Sequence, residues 1–279
     1  MPAVVTPSVH DLLREFVANC PRRRYLHEIE GIELSNQAAF MREVVVTVQA
    51  CLEPHIAELR RRERGRHALD PNWTDGPGMH LIASIAQFEE ILATLLDATR
   101  LVETARMSTA WTLLGSAVER LEVLTALESP DGPQVASQLV DTAARARAEL
   151  SAVAATGGVD LQLPATLPSS IPTAAEQNSP IWPMPNEEVA TLLDAVGRGA
   201  DTSRDGGPLS IRCLLGSPDE TDYDQLAAVG GYLHHLVLRI VQAATDALCA
   251  VAARSTRNTA WDEWAADVRA GVEFAWDCV

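Results

Sequence analysis

An all-α protein of seven or eight helices is what this sequence predicts, and three observations predict it. Apolar residues recur at three- and four-residue spacing through most of its 279 residues. Turn-forming Gly, Pro and Asp cluster at a few sharp boundaries between those stretches. Only Leu209–Leu215 reads as a strand, and a lone strand has no partner to pair with.

The elements follow in order. Ser8 is placed to cap a first helix to Cys20, with Asp11 three positions on and Val9, Leu12, Leu13, Phe16 and Val17 along one face; Pro21 ends it. After a polar link, a second helix runs from about Asn36 to Arg66 on Met41, Val44, Val45, Val48, Leu52, Ile56 and Leu59. Pro54 inside it lacks an amide hydrogen, so a kink or break is expected there. Asp70–Gly78 is a loop. Helices over about Met79–Thr104, Ser108–Glu128 and Gln134–Ala155 follow, the last two separated by Ser129-Pro130-Asp131-Gly132-Pro133.

Residues 157–186 hold six prolines together with Leu161, Leu163, Leu167, Ile171, Ile181, Trp182 and Met184. A free tether would not carry those apolar residues, so an extended linker packed on the body is expected. It divides the chain into an N-terminal helical subdomain, 1–156, and a C-terminal one, 187–279. Asn186 is placed to cap a short helix. A long one covers about Asp222–Arg254, with a break or a close contact expected at Gly230-Gly231. Ala260–Asp277 is the last, opened by Thr259 and Asp262 and carrying Trp261, Trp264 and Trp276.

Composition narrows the function. The formal charge is −16, and all 22 cations are arginine, which with abundant Ala reads as the high-GC coding bias of a bacterial-type gene. A field of that sign repels phosphate backbones and argues against nucleic acid. Residues 1–67 are an exception at net +1, with clusters at Arg22–Arg24 and at Arg60, Arg61, Arg62, Arg64 and Arg66. No apolar run comes near a membrane span, and no signal-like N-terminus is present. The five cysteines, Cys20, Cys51, Cys213, Cys249 and Cys278, form no CxxC and read as reduced thiols of a cytoplasmic protein. There is no GxGxxG, GxxxxGK[ST], GxSxG or HExxH.

Candidate chemistry rests on histidine and tryptophan. His27 with Glu30 and His55 with Glu58 are HxxE pairs that share a helix face and offer candidate metal ligands; no ExxH of the di-metal bundle type occurs, and no particular cofactor is implied. Tyr232, His234 and His235 form a polar cluster in an apolar stretch, the place for a general acid or base. Gly230 and Gly231 one turn earlier, with Trp261 and Trp264, would line a small-molecule pocket beside the C-terminal tryptophan helix. Adjacent helical positions point about 100° apart, so one of the two histidines faces the core.

Thr94–Leu127, with its Ala-rich helix, short turn and Ala-Val-Glu-Arg-Leu-Glu, resembles the helix pair of HEPN domains of toxin and defence systems. The stretch Tyr223 to His234 is loosely similar to a second region of such proteins. That family's nuclease motif is an arginine followed by four to six residues and a histidine, a spacing matched by Arg22 to His27 and Arg62 to His67, both upstream of the family's place for it. The resemblance covers about a third of the chain and implies a HEPN-like toxin or defence protein. The residues themselves favour a binding or assembly protein, a candidate homodimer with a small-molecule or protein partner and no membrane. The alternative is an enzyme acting on a small organic molecule between helices.

Overall fold

The computed structural model describes residues 8–19, 30–69, 77–103, 107–157, 191–192, 196 and 220–278. Among them 94% are helical, in seven helices with no strand, packed as a bundle. The helices are α1 (Val9–Asn19), α2 (Glu30–Leu69), α3 (Pro77–Glu103), α4 (Met107–Glu128), α5 (Gly132–Thr156), α6 (Glu220–Thr256) and α7 (Ala260–Trp276). The Pro-rich stretch, the Leu209–Leu215 strand and Arg22–Arg24 lie outside the described residues. Of the helix expected after Asn186, Leu192 and Val196 are described, and both are buried.

α6 is the central helix, packed against α2, α3, α4 and α7. One core takes Met41, Val45 and Leu52 from α2, Ile85, Phe88 and Leu92 from α3, Trp111, Leu114 and Leu121 from α4, and Leu233, Val237, Ile240 and Leu248 from α6. Residues on both sides of the linker thus share a single apolar interior. Arg42–Glu103 at 2.5 Å and the Arg60–Glu89 pair tie α2 to α3 in antiparallel order.

Two sequence expectations change. Pro54 does not break its helix: α2 runs from Glu30 to Leu69 through it, held by the buried stripe on either side. Gly230-Gly231 likewise lies inside an unbroken α6. Packing on four neighbours outweighs the propensity cost of about 1 kcal/mol per glycine. The apolar content of α3 and α6 was also underestimated. Gly78–Glu103 and Tyr232–Thr256 are long and apolar enough, by length and composition, to cross a membrane. For α6 the reason is its central position, which makes several of its faces apolar; 67% of that window is buried inside the bundle.

The turns explain the helix ends. Ser8 Oγ accepts the Asp11 amide at 3.0 Å, as its capping position implies. Between α4 and α5, the His80 ring Nε2–H donates to the Leu127 carbonyl, and Gly132 packs beside both. A Cβ there would sit 2.6 Å from His80 Nε2, so this turn requires glycine. Between α6 and α7, Arg257 takes a left-handed backbone with φ 54°. Thr259 makes no side-chain cap; Asn258 Oδ1 accepts the Ala260 amide at 3.0 Å instead.

α5 stands apart. Val135 and Ala136 are buried, but Leu150 and Val153, further along the same stripe, are 60% and 69% exposed.

Candidate functional site

α6 sorts its residues by face. Leu233, His234, Leu236, Val237, Leu238 and Ile240 are buried, which leaves Tyr232, His235 and Arg239 as an i, i+3, i+7 row on the outward side. Helices on either side extend that row with aromatic rings. Trp111, near the start of α4, lies with its centroid 6.0 Å from Tyr232. Trp276, at the end of α7, lies 4.3 Å from His235, and the Arg239 guanidinium sits 5.0 Å over the same indole. Tyr232 is 49% exposed and Trp276 36%. The row Tyr232–His235–Trp276–Arg239 therefore runs across α6 and α7 on the outward side, with the buried Trp111 of α4 beneath its Tyr232 end.

Several polar atoms in and beneath it have no hydrogen-bond partner. Both ring nitrogens of His234, Nδ1 of His235 and the Trp111 indole Nε1 are buried and unpaired. Burial, with the neighbouring His235 as a lesser cause, pushes the His234 ring down to about 4. A ring held there is neutral and too weak a base to take a proton at neutral pH. The adjacent pair thus divides as helical geometry requires, with His234 inside and half-buried His235 on the row.

Trp261 and Trp264 belong to a different cluster. His55 of α2 stacks on Trp264 at 3.5 Å, and Trp264 meets Trp261 edge-on at 4.7 Å. α6 and α7 are antiparallel, as Arg269–Asp246 at 2.8 Å shows, so Trp261 lies roughly 22 Å of helix rise from Trp276. The expected pocket of His234 and His235 with Trp261 and Trp264 is therefore split; Trp276 takes the place given to the other two. The core stripe of α7 runs through Trp261, Ala265, Val268, Val272 and Ala275. Trp276 falls one step off it and turns outward.

The metal candidates also part. His27 lies outside the described residues, and of Glu30 only the backbone is described, at the start of α2. His55 stacks on Trp264, and Glu58 pairs with Arg61. No group of three or more His, Cys, Asp or Glu converges among the described residues. The arginine cluster of α2 is largely spent on carboxylates: Arg60 on Glu89, Arg61 on Glu58, and Arg62 and Arg66 on buried Glu63.

Two grooves are formed among the described residues. One of about 590 Å³ is lined by Glu128, Arg254, Arg257, Asn258, Thr259 and Asp262, where Arg254 already donates to the Glu128 carbonyl. Another, of about 480 Å³ between α1 and α7, is lined by Ser8, His10, Asp11, Asp267, Glu273 and Asp277 among others.

Sequence reasoning missed Trp111 and Arg239. Arg239 was within reach, because it stands four residues after His235 and seven after Tyr232 on the same helix. Trp111 was not, since its approach to Tyr232 depends on how α4 crosses α6. No family model, no curated protein and no solved structure matches this chain.

Proposed function

We propose that this chain is a helical binding protein that recognises its ligand on the row from Tyr232 to Arg239. One observation carries this reading: four aromatic, histidine and arginine side chains, from α6 and α7, group on the outward side over the buried Trp111, and their polar atoms are underused within the protein. Tyr, Trp and Arg are the residue types that supply most binding energy where they are grouped and rigidly backed. The row is backed by the core helices α4 and α6, so its rings lose little freedom on binding. The enzymatic alternative draws less support, because His234 is enclosed and held neutral.

A thermal-shift comparison of the protein and its Trp276→Ala variant against a panel of small aromatic compounds tests it. Compounds that raise the melting temperature of the first and not of the second support the reading. Compounds that stabilise both equally, or a panel with no effect on either, reject it.

Self-association is a second reading, favoured by α5. Leu139, Ala143, Ala146, Leu150 and Val153 alternate at four and three residues, a seam that a second copy of the same helix can match. Light scattering would give a dimer that Leu150→Glu turns into a monomer; a monomer at every concentration removes this reading.

A further inference from the structure

Arg239 differs from most arginines around it. Arg42, Arg60, Arg61, Arg62, Arg66, Arg100, Arg120 and Arg269 each lie within ion-pair distance of a carboxylate. Arg239 is exposed and rests on the Trp276 indole, with no carboxylate paired to it among the described residues. Arg14, Arg64, Arg145, Arg254 and Arg257 share that lack of an acid; what sets Arg239 apart among the described residues is the indole beneath it. Two of the unused groups nearby can only donate. The Trp111 indole N–H can only donate, and Arg239 has five donors and no acceptor. The row therefore combines flat apolar faces with the positive charge of Arg239 and carries no carboxylate of its own; its acceptors are the Tyr232 hydroxyl and one ring nitrogen of His235.

Resting on the reading of the row as a binding surface, we infer that its ligand is a flat aromatic carboxylate. The rings of Tyr232 and Trp276 would take the aromatic body, which gains from stacking beyond the area it buries. The carboxylate would pair with Arg239, whose planar fork suits two parallel hydrogen bonds and whose stacking on Trp276 limits its freedom beforehand. A cationic ligand would meet Arg239 head-on, and a neutral one would leave its donors to water.

The test uses three probes of one shape and different charge: 2-naphthoate, 2-naphthalenemethanol and 2-naphthylmethylammonium. Binding to the full chain is followed by calorimetry and tryptophan fluorescence. The expected order is naphthoate at least about tenfold tighter than the alcohol, with the ammonium weakest. Arg239→Gln should erase the preference for naphthoate and leave the alcohol unchanged. Trp276→Ala should weaken both. Each variant is checked by circular dichroism and urea unfolding, and Arg239→Lys replaces Arg239→Gln if the latter is misfolded; it should keep part of the preference, having charge without the fork. If the alcohol and naphthoate bind equally, and Trp276→Ala weakens both, the charge inference fails while the binding surface stands. If no probe binds at ~1 mM, or Trp276→Ala leaves binding untouched, the binding surface itself fails and the inference with it.

Discussion

The two ends of α7 carry the same kinds of side chain with opposite outcomes. At its start, Trp261 and Trp264 close with His55 into an aromatic nest, and Trp261 is only 2% exposed. At its end, Trp276 meets His235 and Arg239 on the surface. Residue type does not separate the two clusters; position against the helix stripe does. Trp261 sits in the register that faces α6, whereas Trp276 follows Ala275, which already holds the last inward position. The first cluster is spent on holding α2 to α7, and the second is left available. An aromatic group is thus a candidate for binding when the core has no use for it.

This contrast can be broken in several ways. Trp261→Ala should have the largest effect, a loss of about 3–5 kcal/mol in urea unfolding, because the nest would be left with a cavity. A loss below about 1 kcal/mol would mean that the nest does not hold α7.

The next effect depends on pH. Above pH 6.5 His234 is neutral in both folded and unfolded chains, so nothing is lost. As the pH falls through 6.5, the unfolded chain takes up a proton that the folded one refuses until about pH 4, and stability declines across that window. At about 1.4 kcal/mol per pH unit, the full loss is roughly 3 kcal/mol. His55 and His80 are lowered by burial as well, so their contributions run in the same direction. His234→Leu should remove one part of the slope between pH 6.5 and 4 and be close to neutral at pH 7, since it replaces an unsatisfied polar ring. An unchanged slope would show that His234 is not enclosed.

Trp276→Ala should cost about 1 kcal/mol or less, the counterpart of Trp261→Ala at the exposed end. A cost as large as that of Trp261→Ala would erase the distinction between the clusters. Arg239→Gln should be the smallest change, roughly 0.5 kcal/mol, the worth of an exposed cation–π contact. Its urea midpoint, measured beside that of the parent, checks this.

The helices were legible in the sequence because their apolar stripes are long. The Met41 to Leu59 stripe located α2, the apolar stretch around Tyr232, His234 and His235 fell within α6, and the breakers at 129–133 located the α4–α5 turn. Pro54 does not break the helix because one missing amide counts for less than a buried face of about seven turns, from Ala38 to Glu63. The Thr259 cap misled because the Asp262 amide goes to the Thr259 backbone carbonyl at 3.0 Å, and the side-chain cap falls one residue earlier, on Asn258. Of the site, Tyr232 and His235 were legible as polar positions in an apolar run. Their partners were not, because helical spacing places residues on a face without saying which helix crosses it. That is why Trp261 and Trp264 were joined to the wrong histidines and Trp111 was overlooked.

The contact of α1 with α7 has a consequence in time. The Val9 amide donates to Asp267 at 2.8 Å, and Val9 fits against Gly271, where a Cβ would come within 2.7 Å of it. During synthesis at about 5–20 residues per second, α1 leaves the ribosome roughly 13–50 s before Asp267 is added. For that interval the inner face of α1, with Val9 and Leu13, lacks the α7 surface that covers it in the finished bundle. α1 can pack on α2 through the Phe16–Phe40 stack once α2 is made, but its seat against α7 stays open until Asp267 is added, so nascent chains stopped before α7 should expose Val9 to protease.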